Sequence, residues 1–387
     1  MTSISGRRKN YTPLYLLASL GAGGMSVAVY LHLLFLTPHP GVPVPTWDSL
    51  SVVWESATTM AKTGIGVAWF STLLLVFIHF ILLVWNLTAY REFARTEPYK
   101  ILMKSNATFQ RMAWPLNLAM SMNAGFIAAL LIIPGFWAEI EYIFPWAILV
   151  FFLLGVGALK MQASILGGQL TQGGFECEKN NNLGMMMSPF ALAMIAVGFS
   201  GPAAMSEITM TVLIASSLCW FFFVIAVLSS LVYFLLSMRA IFAHGAAPDS
   251  SQTLMVGVPI ATVLGIAGYR LAMMLNHHFH VAVSPILIFL GFVLVMAVQA
   301  MFFLFGASIL LRNEMLRNAL SNGPTPLSFA LVCPGVGLLV TFQFFVHRGL
   351  LVVLPEALPL LPWLTSGVVL AQVGLLIAYM NMMKHQR

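Results

Sequence analysis

Long apolar runs recur along almost the whole chain, and they decide what it can fold into. A stretch of roughly 20 mostly apolar residues is long enough to cross the hydrocarbon core of a bilayer. Ten such stretches lie at about 13–36, 64–89, 112–136, 143–166, 184–206, 209–237, 252–275, 283–311, 327–347 and 360–383. Charged residues make up 8% of the 387 residues and the mean hydropathy is +0.92, which leaves too few charges for a water-soluble surface. We therefore expect an all-α integral membrane protein with about ten transmembrane helices in a single polytopic domain, 1–387, whose short loops predict antiparallel hairpins.

Basic residues concentrate in alternate connections between the apolar stretches. One set comprises Arg7, Arg8, Lys9, Arg91, Arg95, Lys100, Lys104, Arg111, Lys179, Arg239, Arg312, Arg317, Lys384 and Arg387. The opposite side holds Lys62, Arg270 and Arg348. The positive-inside rule then predicts that both termini are cytoplasmic. The formal charge of +6 is dispersed at helix ends, so the expected counter-charge is the headgroup layer of the lipid bilayer and not nucleic acid.

Helix-breaking and polar residues fall mainly in the odd-numbered stretches. They are Gly21, Gly23 and Gly24; Pro115, Asn117, Asn123 and Pro134; Pro189, Gly198, Gly201 and Pro202; Pro259, Gly265 and Gly268; and Pro334, Gly335 and Gly337. Backbone groups freed by such residues in mid-membrane must be satisfied by protein or by water. The pattern predicts five hairpins in which the odd helices line a central pore and the smoother even helices face lipid. Close helix packing at individual glycines is the alternative.

A cluster of cationic and titratable side chains marks the outer end of the seventh stretch. Arg270, His277 and His278 occur there, followed by His280. With Lys62 and Arg348 they predict a cationic vestibule that raises the local concentration of anions. An ordinary interfacial histidine cluster and a metal site are the alternatives, and no metal is expected because adjacent His277 and His278 point apart on a helix and no carboxylate is near in sequence.

Cys333 is the most unusual side chain of the ninth stretch, because it directly precedes Pro334. A lone cysteine in a membrane helix usually only packs, but a place at the break of an inner helix favours a role in the pore. The other cysteines, Cys177 and Cys219, show neither disulfide nor metal-ligand spacing. Asn117, Asn123, Ser200, Gln299 and Gln343 are further neutral polar candidates.

Two alternatives to a transport function remain open at this stage. In a membrane oxidoreductase, Cys333 would cycle between a thiol and an oxidised sulfur. In a haem-binding electron carrier, His32 and His79 would ligate the iron. No soluble-enzyme motif occurs in the chain, so a channel or transporter without a cofactor is favoured over an enzyme.

The organisation of the chain resembles the tellurite-resistance/dicarboxylate transporter superfamily, which includes the plant guard-cell anion channels. The shared features are ten helices, cytoplasmic termini, interrupted odd helices and a proline-bearing ninth helix. The segments GAGGMSVAVYLHLLFLTPHPGVPVPT, NNNLGMMMSPFALAMIAVGFSGPAAMS and CPGV are further similar to a bacterial branch, the TsoY family, in which some members carry selenocysteine.

This resemblance implies an anion channel or transporter of the bacterial inner membrane, often a homotrimer. In the channel members a phenylalanine next to the proline of the ninth helix occludes the pore, whereas this chain has Cys333 next to Pro334, with Phe329 one turn earlier as a substitute. The candidate pore and gate residues are Phe329, Cys333, Pro334, Gly335, Gly24, Asn123, Pro202 and Gly265. The expected partner is a small anionic substrate: an oxyanion, a sulfur-species anion or a small organic acid.

Overall fold

A computed structural model describes residues 11–172, 180–312 and 325–385, and every element within these ranges is helical. Ten of the helical segments are long and apolar enough to cross a membrane, which agrees with the predicted all-α architecture of about ten spans. They are α1 (Pro13–Leu36), α2 (Thr59–Phe93), α3 (Asn106–Ile132), α4 (Phe136–Gly168), α5 (Gly184–Met205), α6 (Thr209–His244), α7 (Pro248–His277), α8 (Pro285–Arg312), α9 (Pro326–Val353) and α10 (Pro355–Lys384). Two short helices, Trp47–Ser56 and Glu97–Lys104, lie in the connections on either side of α2.

Several helices continue beyond the predicted apolar stretches. Helix α2 ends at Phe93, beyond the predicted 89, and α6 ends at His244, beyond 237. The extensions carry Arg91 and Arg239. A hydropathy criterion ends the span at such charged residues, whereas the helical backbone continues beyond them. In contrast, α3 ends earlier than predicted, at Ile132.

Each odd-numbered span begins with a 3-10 segment, and this explains where most of the prolines fall. The segments are Pro13–Tyr15, Asn106–Met112, Gly184–Met186, Pro248–Met255 and Pro326–Leu331. Pro115, Pro189, Pro259 and Pro334 are each the third residue of the α-helix that follows. Each of these prolines therefore lies where a 3-10 segment changes to an α-helix, and the cost of a missing N–H is lower there than in the middle of a helix.

These four prolines lie at the change from 3-10 to α-helix and not in the middle of an α-helix. Pro134 lies beyond the last residue of α3. Pro202 does lie inside the α-helix of α5, but the even-numbered α4 also contains an internal proline, Pro145. Proline placement alone thus does not separate odd spans from even ones.

Burial separates the two sets of helices clearly. In an apolar 18-residue stretch of each span, the buried share is 72, 50, 89, 56 and 50% for α1, α3, α5, α7 and α9. The corresponding shares for α2, α4, α6, α8 and α10 are 33, 22, 39, 17 and 6%. The odd spans are therefore the interior of the bundle.

The interior spans contact one another in a closed cycle. Helix α1 contacts α3, α3 contacts α5, α5 contacts α7, α7 contacts α9, and α9 contacts α1. Each even span lies against the odd span before it and the next odd span of the cycle, so that α10 contacts both α9 and α1.

Neutral polar side chains tie neighbouring spans together. The Gln299 amide of α8 donates hydrogen bonds of 2.8 Å to the hydroxyls of Thr262 on α7 and Thr341 on α9. The Gln343 amide of α9 donates to the Ala28 carbonyl of α1 over 3.1 Å. Such bonds contribute modestly to helix association in a membrane, and they account for Gln299 and Gln343 as packing residues.

Candidate functional site

A cavity of about 240 Å³ lies among the five odd spans. Helices α1, α3, α5, α7 and α9 all contribute to its wall, and α4 adds Phe144, Ala147 and Phe151. Pro43 and Val44, from the connection between α1 and α2, also line it. The cavity therefore occupies the centre of the cycle of interior spans.

Two arginines supply the only formal charges on this wall among the described residues, which include no aspartate or glutamate there. Arg270 extends from α7 toward α5, where its Nη1 lies 3.5 Å from both the Val197 carbonyl oxygen and the Ser200 hydroxyl. In the described ranges the one ion pair is Lys100–Glu97, at the surface. A guanidinium with long contacts and no counter-ion leaves donors and charge for an anionic partner.

Arg348 reaches the cavity from a π-helical segment of α9, Phe345–Leu350. Its guanidinium carbon lies 5.5 Å from the ring centroid of Phe35, and His347 stacks on the same ring at 4.5 Å. Cation–π contact stabilises a cation without neutralising it. Short π-helical insertions are frequent at functional sites, and this one carries the second charge of the cavity.

The connection that follows α1 covers part of the cavity near these charges. A capping box joins Thr46 and Ser49 at the start of the short helix Trp47–Ser56. The Tyr30 hydroxyl of α1 lies 3.5 Å from the Pro45 carbonyl that it faces. These contacts fix the segment that places Pro43 and Val44 on the wall.

The rest of the wall is mainly apolar and rich in thioethers and aromatic rings. It includes Met120, Met122, Met194, Met205 and Met273, together with Phe126, Phe144, Phe151, Phe190 and Phe344. Asn123 and Thr262 are neutral polar exceptions. The Asn123 amide donates to the Ala119 carbonyl within its own helix.

A second, smaller pocket of about 30 Å³ adjoins the cavity near the first residues of the odd spans. Phe190, Pro259 and Cys333 line both spaces. These residues lie near the starts of the α-helices of α5, α7 and α9, and all three are buried. We call this group of three the constriction, because it is the wall common to the two spaces.

The structure divides the predicted pore residues into two groups. Gly24, Asn123, Pro202 and Cys333 line the cavity. Phe329, Pro334, Gly335 and Gly265 are absent from its described wall.

The residues off the wall have packing roles. Phe329 is fully buried, with its ring centroid 5.7 Å from that of Tyr379 on α10. A Cβ added to Gly335 would lie 2.9 Å from Leu375, and one added to Gly265 would lie 2.7 Å from Val295. For these two glycines, close helix packing is the role that the structure supports.

The predicted vestibule is also divided. Arg270 and Arg348 line the cavity, whereas Lys62, His277 and His278 are not among its described lining residues. The His278 ring nitrogen Nε2 lies 3.1 Å from the Thr209 hydroxyl of α6. Among the described residues, no group of three His, Cys, Asp or Glu side chains is arranged to hold a metal ion.

The histidines considered as haem ligands are engaged in other contacts. Nδ1 of His79 lies 2.8 Å from the Ser19 carbonyl, and Nε2 lies 2.8 Å from the Ser121 hydroxyl. Nε2 of His32 lies 2.9 Å from Gln372 Oε1. Asn117 lies in the same region as His79. Its side-chain amide nitrogen donates a hydrogen bond of 2.8 Å to the Leu16 carbonyl of α1.

The remaining cysteines do not join Cys333 in the cavity. Cys219 is buried on α6 and is not among the described lining residues. Cys177 lies outside the described residues, as do Arg7, Arg8, Lys9, Lys179, Arg317 and Arg387.

Sequence reasoning missed Phe190, which lies in the segment MMMSPF directly after Pro189. Pro189 and Pro334 are each third in their α-helix, so Phe190, one residue after its proline, and Cys333, one residue before its proline, both lie in the first turn or so of an interior span.

Comparison of the chain with family models, with curated proteins and with solved structures gives no match. The superfamily resemblance drawn from the sequence therefore stays a prediction.

Proposed function

We propose that this protein is a membrane channel or transporter for a small anion. The observation that carries the proposal is the pair of arginines, Arg270 and Arg348, on the wall of a central cavity that has no acidic side chain among its described residues. Charged residues in a membrane interior are costly and usually serve function. Two cations with no carboxylate among the described lining residues favour an anion over a metal cation in this space.

The arrangement of helices supports a path for that anion. In this proposal the ten spans form five hairpins, and the odd spans enclose the route across the bilayer. The higher burial of the odd spans, their closed cycle of contacts and the cavity among them all favour this arrangement. The distribution of basic residues predicts that both termini are cytoplasmic, and the resemblance drawn from the sequence makes a bacterial inner membrane the proposed location.

A transported anion would meet the charges first and the apolar constriction second. Arg270 and Arg348 offset the cost of taking an anion out of water, since hydrogen bonds from charged donors are stronger than neutral ones. The constriction of Phe190, Pro259 and Cys333 then limits passage toward the smaller pocket. Apolar constrictions of this kind are a known means of gating.

Flux measurements in proteoliposomes test the proposal. Purified protein would be reconstituted and the uptake or release of chloride, nitrate, thiosulfate and butyrate followed. We expect anion flux that falls at least tenfold in Arg270→Gln and is retained in Arg239→Gln, a matched change at an exposed arginine near the end of α6. Absence of flux for every anion, or flux equal in both variants, would overturn the proposal.

A further inference from the structure

The cavity differs in character along its length. Its charges lie at one end and the constriction at the other. Pro259 and Arg270 both line it and belong to one continuous α-helix, Gly257–His277. Eleven residues separate them along the chain, so at about 1.5 Å per residue the wall between them spans about 16 Å.

The wall between those ends is almost entirely apolar. It includes Val336 and Val340 of α9 and Ile266 of α7. Met120 and Met194 face the same space from α3 and α5. Methionine side chains adapt to apolar ligands of varied shape, and an apolar surface of this length offers little to a fully hydrated inorganic ion.

From this amphipathic cavity we infer the substrate class: an amphiphilic organic anion, with a carboxylate or sulfonate at Arg270 and Arg348 and an aliphatic body extending toward the constriction. The inference rests on the proposed function and narrows it. A volume of about 240 Å³ far exceeds that of a halide. Binding sites for organic ligands are commonly apolar with a few placed polar groups, which is the composition of this cavity.

Chain length is the variable that tests the inference. Protein in lipid nanodiscs would be titrated calorimetrically with acetate, butyrate, hexanoate and octanoate, with empty nanodiscs and the alcohols of equal length as controls. Each methylene that enters the apolar wall should tighten binding roughly fourfold. The alcohols should bind more weakly than the carboxylates at every length.

Two variants separate the two ends of the cavity. Arg348→Gln should weaken binding of every carboxylate by a similar factor and leave the dependence on length unchanged. Val336→Phe should reduce octanoate binding at least tenfold while acetate binding changes less than threefold. Val293→Phe, at a lipid-exposed position of α8 with 40% exposure, is the matched control for added bulk. If Val336→Phe does not fold, Val340→Phe makes the same test from the same helix.

The outcomes distinguish this inference from the function on which it rests. Suppose that affinity is the same for all four carboxylates, while chloride or thiosulfate flux depends on the arginines. That result would overturn the substrate class and leave anion transport in place. The opposite result is also informative. If binding depends on chain length and both variants alter it as described, but no anion is transported, the ligand class is supported and the transport proposal is refuted.

Discussion

Replacing Arg270 by glutamine is expected to raise the free energy of unfolding of the ligand-free protein. The same change should reduce the additional stabilisation that a bound anion provides. The guanidinium has no carboxylate partner within the described residues, and its contacts to Val197 and Ser200 are both 3.5 Å long. A charged side chain costs about 2.5–3.5 kcal/mol at the centre of a membrane helix and less toward its ends, and Arg270 lies two turns before the last residue of its α-helix, His277. Those contacts and water in the cavity offset part of that cost, so the variant should gain about 1 kcal/mol in its free energy of unfolding.

The bound state should show the opposite effect. An anion present at 100 times its Kd stabilises the folded protein by about 2.7 kcal/mol. Loss of a hydrogen bond from a charged donor costs about 1.5–3 kcal/mol, which weakens binding tenfold or more. At the same anion concentration the stabilisation of Arg270→Gln then falls to about 1.4 kcal/mol or less.

Thermal unfolding in detergent, with and without octanoate or thiosulfate, measures both quantities. Arg239→Gln changes a charge at an exposed position, so its unfolding and its response to anions should match the unmodified protein within about 0.5 kcal/mol. A lower melting temperature for ligand-free Arg270→Gln, together with an unchanged response to anions, would refute the assignment of Arg270 to an anion site.

Three further predictions concern the constriction and the helix contacts. Phe190→Ala removes the ring shared by the two spaces, so liposome flux should rise at least tenfold; unchanged flux would place the barrier elsewhere. Gln299→Leu loses two hydrogen bonds of 2.8 Å and should lower the free energy of unfolding by about 1–2 kcal/mol, an effect that a double-mutant cycle with Thr341→Val should show to be non-additive. Gly198→Ala places a Cβ 2.2 Å from the Phe151 ring and should destabilise the protein by about 1–3 kcal/mol in chemical denaturation, with partial rescue by Phe151→Leu; no loss of stability would contradict the tight α4–α5 contact.

The number of membrane helices followed from the sequence because hydrocarbon thickness sets the minimum length of an apolar run. Helix ends did not follow, since hydropathy falls at Arg91 and Arg239 while the backbone hydrogen bonds continue to Phe93 and His244. The ends of these helices are therefore visible in the structure and not in the hydropathy of the sequence.

Prolines illustrate a second limit of sequence reasoning. Pro259 and Pro334 both belong to odd spans, but proline is costly inside a helix and tolerated in its first turn, and the sequence does not show which position it takes. The choice between those positions depends on the 3-10 segments that precede them; proline begins three of the five segments (Pro13, Pro248 and Pro326) but not the other two, so it does not identify them all.

Position along the helix axis and side-chain direction both limited the prediction of the site. Arg270 and His277 are two helical turns apart on α7, about 10 Å along the axis, so charge at the outer end did not imply a place in the cavity for both. Phe329 and Phe190 are both phenylalanines near the start of an odd span, yet one packs on Tyr379 and the other lines the cavity. These directions depend on the rotation of each helix within the cycle.

The closed cycle of interior helices also has a consequence for biogenesis. Helix α9 joins α7 to α1, so the ring is incomplete until the ninth span has left the ribosome. During that interval Arg270 of α7 has already entered the bilayer, while the part of its enclosure that α9 provides is still missing. We therefore expect this guanidinium to depend on water or on insertion factors until α9 closes the ring.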